Sequence, residues 1–593
     1  MVYSLRWNLD ALFPGGSSSP QLKATVEEVE KDARDLYASW RKEDPKGPFD
    51  LAEKIQMLTE LNLRFGDAFA FVGCLLAADV EDRQAALWQG KLQELGATLT
   101  QLERLVDGWL ASLSEEDFSQ LQHDPRLQPS AFNLLERRER AQRQMDLPLE
   151  LLAAELSPAG YHGWNRLHSL VAGRLRIRYE ADGKVQEVSA GQAESLLDHP
   201  RREIREAVFK GWEEAWEKET DVLALALNNL AGFRRAIQRR RGYRDPLDEP
   251  LEINRLQRKT LEAMWEAVDG ARPRLRAYLQ AKARFLGLEK LSWFDLSAPL
   301  FPDAPSLSYD EAAEIILREF SRLDPELYAM AKRVFEEGWI EAEDRPGKAQ
   351  GGFCTRFNGA RQSRIFLTFG GTLPDAATIA HELGHAYHNE QLFEVPPLSR
   401  RVPMALAETA STFAEVRVAK ASLEAARDPK ERLLLLDRRL QQSVTYLMNI
   451  RARFLFEVAF YQRREKGPVG VDDLKEGMLA AQKEAYADSL ALYHPTFWAS
   501  KAHFYITGVP FYNFPYTFGY LLTAALLRRA EEEGPSFLPR YREFLRESGR
   551  MTVEDLVERA LGEDIGKVAF WEKAVEEALS PLDAFLVEVE KHA

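Results

Sequence analysis

The sequence predicts a mainly helical protein with a small β component, and three observations support this. Apolar residues recur at three- and four-residue spacing between charged faces over long stretches, among them 51–63, 86–113, 259–286 and 431–462. Two short segments, near residues 180 and 360, break that helical pattern. Hydrophobic residues make up 45% and charged residues 29% of the 593 residues, a composition typical of globular chains.

The first of the two segments predicts a β-hairpin. Apolar residues alternate with arginines over residues 175–179, and Asp182-Gly183 supplies a two-residue turn before Val185 and Val188. A β-hairpin is therefore expected between two helical regions.

A domain boundary is expected just after this hairpin. Ser189 followed by Gln192 predicts a capping box that opens the next helix. The boundary near residue 190 divides the chain into an N-terminal helical region, residues 1–190, and a second region, residues 191–593.

The second break in the helical pattern runs from Gly351 to Phe369. The segments GGFCTRFNG and RIFLTF, set around polar turn residues, predict two short strands. Helix is expected to resume after Pro374-Asp375.

Charge and cysteine content limit the partners and the compartment. A formal charge of −15 with a pI near 5.4 argues against nucleic acid or an anionic membrane as a partner. The start of the chain shows no secretory signal, and the most apolar runs, such as 68–78, are shorter than a membrane span. Cys74 and Cys354 are too few for a disulfide framework, so we expect a cytoplasmic protein.

The sequence His381-Glu382-Leu383-Gly384-His385 is an HExxH motif on a predicted helix. Four-residue spacing puts both imidazoles on one helix face, where they can bind one tetrahedral zinc. The intervening Glu382 would then reach a zinc-bound water and act as the general base for its attack on a peptide bond. With 10 His and 93 acidic residues, fewer than about 0.03 chance matches are expected, although a helix with two solvated histidines is the alternative.

A catalytic zinc needs a third protein ligand and an open position. The metzincin form requires Gly at 388 and His at 391, where this chain has His388 and Gln391. The helical run from Ala405 to Ala419 carries Glu408 and Glu415 on one face. Glu408 is thus the predicted third ligand, and Glu415 is either an acceptor for a ligand imidazole or an ordinary surface glutamate.

Two further residues of the motif helix suggest structural roles. Gly384 costs about 1 kcal/mol in a helix relative to alanine, which indicates that another backbone packs closely there. His388 shares the metal face, but a fourth protein ligand would close the site, so it is predicted to be structural or substrate-facing.

The segments HELGHAYH and ETASTFAE resemble the thimet oligopeptidase family of zinc peptidases, family M3, which also includes oligoendopeptidase F. The opening WNLDALFPG, the phrase RRGYRDPLDEPL and the Gly-rich strand segment are similar to the oligoendopeptidase F branch, so the likeness covers nearly the whole chain. It implies an oligoendopeptidase F N-terminal-like region over 1–190 and an M3-type catalytic region over 191–593.

The resemblance also implies a two-lobed helical ellipsoid with a deep channel that admits short unstructured peptides, and a small β-sheet beside the HExxH helix. It implies one zinc per chain, held by His381, His385 and Glu408, with Glu382 as base. Residues 351–369 would offer a strand edge on which the substrate backbone could pair. Cys354 would lie on that edge, as an inert small residue.

The segment HFYITGVPFYNFPYTFGY, residues 503–520, resembles the family segment that supplies a histidine and tyrosines to the active site. Donors aimed at the tetrahedral oxyanion stabilise the transition state. By this likeness the expected donors are His503 and Tyr520, then Tyr512 and Tyr516, although each tyrosine could instead be a core aromatic residue.

The expected activity is therefore zinc-dependent cleavage of internal bonds in short peptides, a metalloendopeptidase. A zinc carboxypeptidase of similar fold and a non-catalytic peptide-binding protein are the alternatives. Cobalt or manganese could occupy the same ligands, and the sequence leaves oligomeric state and cleavage preference open.

Overall fold

The computed structural model describes residues 2–301 and 307–592, and helices dominate them, as predicted. The first part of the chain is built from seven α-helices, α1 Pro20–Trp40, α2 Pro48–Ala78, α3 Arg83–Ser112, α4 Glu115–His123, α5 Ala131–Gln142, α6 Leu147–Gly160 and α7 His162–Arg174. The strands β1 Arg176–Ala181 and β2 Lys184–Ser189 follow.

The middle of the chain continues with α8 Ala190–Leu196, α9 Arg202–Glu217, α10 Thr220–Arg240, α11 Asp248–Ile253, α12 Arg258–Gly270, α13 Arg272–Phe285, α14 Tyr309–Leu323 and α15 Pro325–Glu336. Three short strands come next, β3 Ile340–Glu341, β4 Phe353–Phe357 and β5 Gln362–Phe366.

The rest of the chain is helical, with α16 Leu373–Leu392, α17 Met404–Ala407, α18 Thr409–Ala425, α19 Pro429–Val444, α20 Ile450–Arg464, α21 Val471–Ala485, α22 Phe497–Ser500, α23 Phe514–Glu533, α24 Leu538–Glu547, α25 Val553–Leu561, α26 Val568–Ala578 and α27 Leu582–His592. Residues Thr445–Asn449 form a π-helical turn that joins α19 to α20 without interruption. Short 3₁₀ turns occupy Gly16–Ser18, Gln128–Ser130, Trp293–Asp295, Pro397–Ser399, Ala502–Tyr505 and Gly534–Phe537.

The predicted hairpin is confirmed. Strands β1 and β2 pair antiparallel around Asp182 and Gly183, whose φ angles of 53° and 70° match the two left-handed positions of a type I′ turn. The predicted capping box is also present, because the Ser189 side chain and Gln192 bond reciprocally at the start of α8.

The second predicted pair of strands forms part of a three-stranded sheet of order β3-β5-β4. Strand β4 pairs antiparallel with β5, while β3 pairs parallel with β5. Among the described strands β4 therefore keeps one edge unpaired. Asn389 of α16 donates to Ser363 Oγ of β5 over 3.1 Å, which places this sheet beside the HExxH helix.

In the described part of the chain, buried apolar side chains form two clusters. One combines side chains from residues 13–134 with Phe357 of β4, and the other extends from Leu175 to Val589. Phe357 thus anchors the small sheet in the N-terminal core. The boundary near residue 190 stays a prediction.

Helix α2 contains the helical stretch predicted over 51–63 and the apolar run 68–78. By length and composition it is apolar enough to cross a membrane, with a mean hydropathy of 1.4 over its most apolar window. A core helix passes the same test, and Leu51, Ile55 and Leu61 of α2 are buried in the N-terminal cluster. An unbroken apolar run is a narrower criterion than this average, so the sequence pattern alone did not indicate a span here.

Helix α16 packs against α18 most closely at Gly384. A Cβ atom at this position would lie 2.4 Å from the Ala410 carbonyl oxygen and 2.6 Å from Ser411 Cα. The close backbone approach predicted from the sequence is therefore present, and no side chain larger than a hydrogen atom fits there.

Replacing Gly384 with alanine should lower stability, because the added methyl group must push two backbones apart at a cost of about 1–3 kcal/mol. We expect a lower melting temperature in calorimetry for Gly384→Ala. Gly90→Ala in α3 is the matched control, since no atom of the described residues beyond its own helical turn lies within 4 Å of its Cβ position, and alanine favours helix. Equal melting temperatures for the two variants would contradict the packing argument.

Candidate metal centre and active site

Three side chains from two parts of the chain converge at one point. His381 and His385 project from one face of α16, with ring centroids 5.0 Å apart. Glu408 reaches them from the junction of α17 and α18. Its Oε2 lies 3.2 Å from His381 Nε2 and 3.3 Å from His385 Nε2.

This donor set fits a zinc ion. The three ligand atoms lie within 4.8 Å of one another. Two ligand atoms bound to one tetrahedral zinc stand about 3.3 Å apart, which is close to both distances from Glu408. Two imidazoles and one carboxylate also leave the fourth position open, as in catalytic zinc sites.

The local structure around Glu408 differs from the expected single helix over residues 405–419. Glu408 has φ −87° and ψ 1°, which ends α17 and starts α18 at this residue. The Ser411 hydroxyl donates to Glu408 Oε2 over 3.1 Å and so fixes the carboxylate. Helix propensity cannot reveal such a one-residue interruption.

A second layer of contacts orients the candidate ligands. Glu415 Oε2 lies 3.0 Å from His381 Nδ1, the contact that the sequence suggested for Glu415. Gln442 in turn donates its amide to Glu415 Oε1 over 3.0 Å. When Nδ1 donates to Glu415, the Nε2 lone pair of His381 is left to bind a metal.

The histidines and carboxylates of the site shift one another's pKa values. Burial lowers the pKa of His381, but hydrogen bonds to Glu408 and Glu415 outweigh it and raise that pKa to about 10. Burial opposes ionisation of Glu408, yet its bonds to His381 and His385 hold its pKa well below the usual range. Without a cation, a proton on His381 therefore helps to balance the carboxylates, and a bound metal would replace it.

Glu382 lies on the same helix and is buried, with 6% of its surface exposed. Its Oε2 has no hydrogen-bond partner among the described residues. Burial raises the pKa of this carboxyl, an effect that His385 and His381 partly offset. A buried carboxylate oxygen without a partner is unfavourable unless a water or substrate group bonds to it.

Three of the four aromatic and histidine residues predicted in segment 503–520 form one cluster. Ring centroids of His503 and Tyr512 are 5.5 Å apart, and those of Tyr512 and Tyr516 are 5.7 Å apart. Burial, Tyr512 and the charge of Glu408 raise the pKa of Tyr516, so its phenol stays protonated and able to donate. Burial and two nearby cations lower the pKa of His503 to about 4, which leaves it neutral.

Tyr520 lies apart from this cluster in its contacts. Its hydroxyl lies 2.9 Å from Ser443 Oγ, and its ring stacks on Tyr446 at 4.5 Å. The side chain is buried, with 6% exposed. Its hydroxyl is therefore engaged with Ser443, whereas the hydroxyl of Tyr516 bonds to Tyr512.

Sequence reasoning missed Gln442, near the end of α19, and Tyr446, in the π turn. Burial and the charges of Glu415 and Glu408 raise the pKa of Tyr446, which places this phenol beside the second layer of the site. No spacing rule links these residues to a motif some 60 positions earlier, although π turns often occur at functional sites.

Two other residues behave as structural elements. His388 Nε2 lies 2.9 Å from Ser548 Oγ and 3.2 Å from the Leu545 carbonyl, which favours the structural role of the two predicted. Cys354 lies on the edge strand β4, and Asn389 Nδ2 lies 3.7 Å from its sulfur. Burial raises the pKa of the Cys354 thiol, so it is unreactive.

Comparison with known proteins gives relatives over most of the chain. An oligoendopeptidase F homolog of Lactococcus lactis is 25% identical over 68% of this chain and 66% of its own length. Oligopeptidase PepF of Bacillus subtilis is 22% identical over 70% of this chain and 62% of its own length. The chain thus spans just under two thirds of these curated relatives.

Solved structures show the same fold. A crystal structure of oligoendopeptidase F from Enterococcus faecium covers 96% of this chain and 99% of its own, with a TM-score of 0.72 at 19% identity. A crystal structure from Chlamydophila abortus covers 98% of both chains, with a TM-score of 0.83 at 18% identity. The mainly helical fold expected from the sequence is therefore confirmed.

Family models match two parts of the chain. The model described as Oligopeptidase F matches residues 109–177, and the model described as Peptidase family M3 matches residues 195–576. The second match contains the HExxH helix, Glu408 and the segment 503–520. Since it covers more than half of the 593 residues, the chain belongs to peptidase family M3.

Proposed function

We propose that this chain is a zinc-dependent endopeptidase that hydrolyses internal bonds of short unstructured peptides, with one zinc per chain. One observation carries the proposal: His381, His385 and Glu408 converge within 4.8 Å, beside the unpartnered carboxylate oxygen of Glu382. Membership of peptidase family M3 and relatives named oligoendopeptidase F support it.

The two imidazoles and Glu408 would hold the ion, and Glu415 would fix the orientation of His381 through Nδ1. When bound, the zinc would polarise the scissile carbonyl and lower the pKa of water. The Gln442 amide and the Ser411 hydroxyl hold the two carboxylates in place.

Glu382 would move the proton. Its Oε2 would take a proton from the attacking water and deliver it to the nitrogen of the departing amine. Burial favours this exchange, because it raises the pKa of the carboxyl and brings its protonated form closer in energy to its ionised form.

Neutral donors would stabilise the oxyanion that forms on the substrate. The candidates remain His503, Tyr512, Tyr516 and Tyr520. Proximity favours Tyr516, because its protonated phenol lies near enough to Glu408 for that carboxylate to raise its pKa, whereas the buried hydroxyl of Tyr520 bonds to Ser443.

The substrate would lie as an extended chain along the unpaired edge of β4, forming backbone hydrogen bonds. Two of the cavities that border α16 support a channel for such a chain. One of about 630 Å³ touches Ala377 and Glu415, and one of about 280 Å³ touches His385 and Asn389. A channel of this kind would admit peptides and exclude folded proteins.

Short peptides are the proposed partners, and the formal charge of −15 argues against nucleic acid and anionic membranes. A cytoplasmic location is proposed on the same composition, with two cysteines that are both free.

Glu382→Gln should lower kcat by about 10²–10⁴-fold, because it removes the proposed base and keeps the side-chain volume. Mass spectrometry of products from a peptide length series on zinc-loaded protein measures this and locates the cuts. Internal cuts that disappear with the variant and with a chelator support an endopeptidase. Stepwise loss from the C-terminus would indicate a carboxypeptidase, and undiminished activity of the variant would refute the role of Glu382.

Glu415→Gln should weaken zinc binding by about 10–100-fold, because it removes the charge that orients His381. Competition with a chelator measures the affinity. Glu424→Gln on the same helix is the matched control, since Glu424 is exposed and outside the site. A similar affinity in both variants would remove Glu415 from the site.

Tyr516→Phe should reduce kcat by about 10²-fold or more with little effect on KM, because a transition-state donor is lost. Tyr520→Phe should reduce kcat less, since its hydroxyl bonds Ser443. Steady-state kinetics of both variants, together with Tyr512→Phe, rank the donors. A larger loss in Tyr520→Phe would reverse this assignment.

A further inference from the structure

The edge strand β4 carries an arginine that has no direct partner among the described residues. Arg356 is partly buried, yet its guanidinium forms no hydrogen bond or ion pair with any residue in 2–301 or 307–592. The Asp67 carboxylate attracts this guanidinium without bonding to it, and instead accepts the backbone N–H groups of Asn358 at 2.6 Å and Gly359 at 2.7 Å. A partly buried cation without a partner is costly unless an anion from outside the chain reaches it.

Arg356 borders a cavity of about 280 Å³ between β4 and α16. Arg400 is the other arginine of its wall, and the described lining contains no aspartate or glutamate. Arg400 is fixed by the carbonyls of Val395 and Phe393 and by the Asn358 side chain, so it does not move away from Arg356. In a chain of net charge −15, this cavity is a local site of positive potential.

The cavity continues from the reaction centre along the strand. Gly352 marks the centre, because a Cβ there would lie 3.5 Å from Glu382 Oε1. Arg356 follows four residues later, about 13 Å farther along an extended strand. A peptide paired with β4 and cut beside Glu382 would therefore place a residue two to four positions from the cut bond next to Arg356.

We propose that Arg356, backed by Arg400, is a specificity-determining residue that binds a carboxylate of the substrate two to four residues from the cleaved bond. The proposal rests on the peptidase function proposed above. The planar guanidinium suits bidentate pairing with a carboxylate, which is either an acidic side chain or the C-terminus of the peptide.

The test uses zinc-loaded protein and quenched fluorescent peptides blocked at both ends, with Glu or Gln scanned through each position. At one position near the cut, Glu should raise kcat/KM about 10-fold over Gln, in line with a charge-assisted hydrogen bond. Arg356→Gln should bring this Glu/Gln ratio close to 1. Arg361→Gln is the matched control in the same hairpin, because Arg361 is exposed and pairs with Glu394, and it should keep the wild-type ratio.

A second arm separates the two sources of the carboxylate. A neutral peptide is compared with a free and an amidated C-terminus. One outcome is that Arg356→Gln abolishes the preference for a free over an amidated C-terminus and leaves the Glu/Gln ratio unchanged. In that case the C-terminal carboxylate is the ligand of Arg356, and the proposal holds with that source. Arg356→Glu is a second variant in case Arg356→Gln is poorly folded. It should give a higher kcat/KM for peptides with Lys than for peptides with Glu at the same position.

Binding is measured separately from turnover. Fluorescence anisotropy with labelled Glu and Gln peptides on Glu382→Gln protein should show the same Arg356-dependent preference. Cleavage of neutral peptides without any charge preference would overturn the subsite and leave the peptidase function intact. Charge-selective binding without any cleavage by wild-type protein would overturn the function and support the subsite.

Discussion

The contact between α16 and α18 at Gly384 is the constraint on which the candidate site depends. Because a glycine lies opposite Ala410 and Ser411, the two helices approach backbone to backbone. This approach lets Glu408, at the start of α18, reach both imidazoles of α16, and lets Glu415 reach the far nitrogen of His381. A wider helix spacing would separate the three proposed ligands, which belong to segments more than 20 residues apart in the chain.

The sequence could predict what depends on local spacing. The HExxH repeat put two imidazoles on one face, and the turn residues Asp182-Gly183 predicted the hairpin. Glu408 was predicted because the helical run from Ala405 to Ala419 carries it on one face with Glu415. The break in the helix at Glu408, the support from Gln442 and the engaged hydroxyl of Tyr520 depend on contacts between distant segments, which no local pattern encodes.

Electrostatics divide the site into two parts. The candidate metal centre collects the carboxylates Glu382, Glu408 and Glu415, and a proton on His381 helps to balance them. The cluster of His503 and Tyr516 is neutral, since burial and the cations Arg453 and Lys501 disfavour a charge on His503, and burial keeps Tyr516 protonated. Such a separation suits a reaction in which negative charge grows on the substrate between a cation and neutral donors.

The π turn at Thr445–Asn449 links α19 and α20 into one continuous rod that contains one extra residue. One residue corresponds to about 100° of rotation around a helix axis, so the two halves of the rod present their apolar stripes in different directions. The half before the turn packs against α27, while the half after it packs against α21. Tyr446 lies at the point where this rotation occurs, where its ring stacks on Tyr520 and remains within reach of the charges of Glu415 and Glu408.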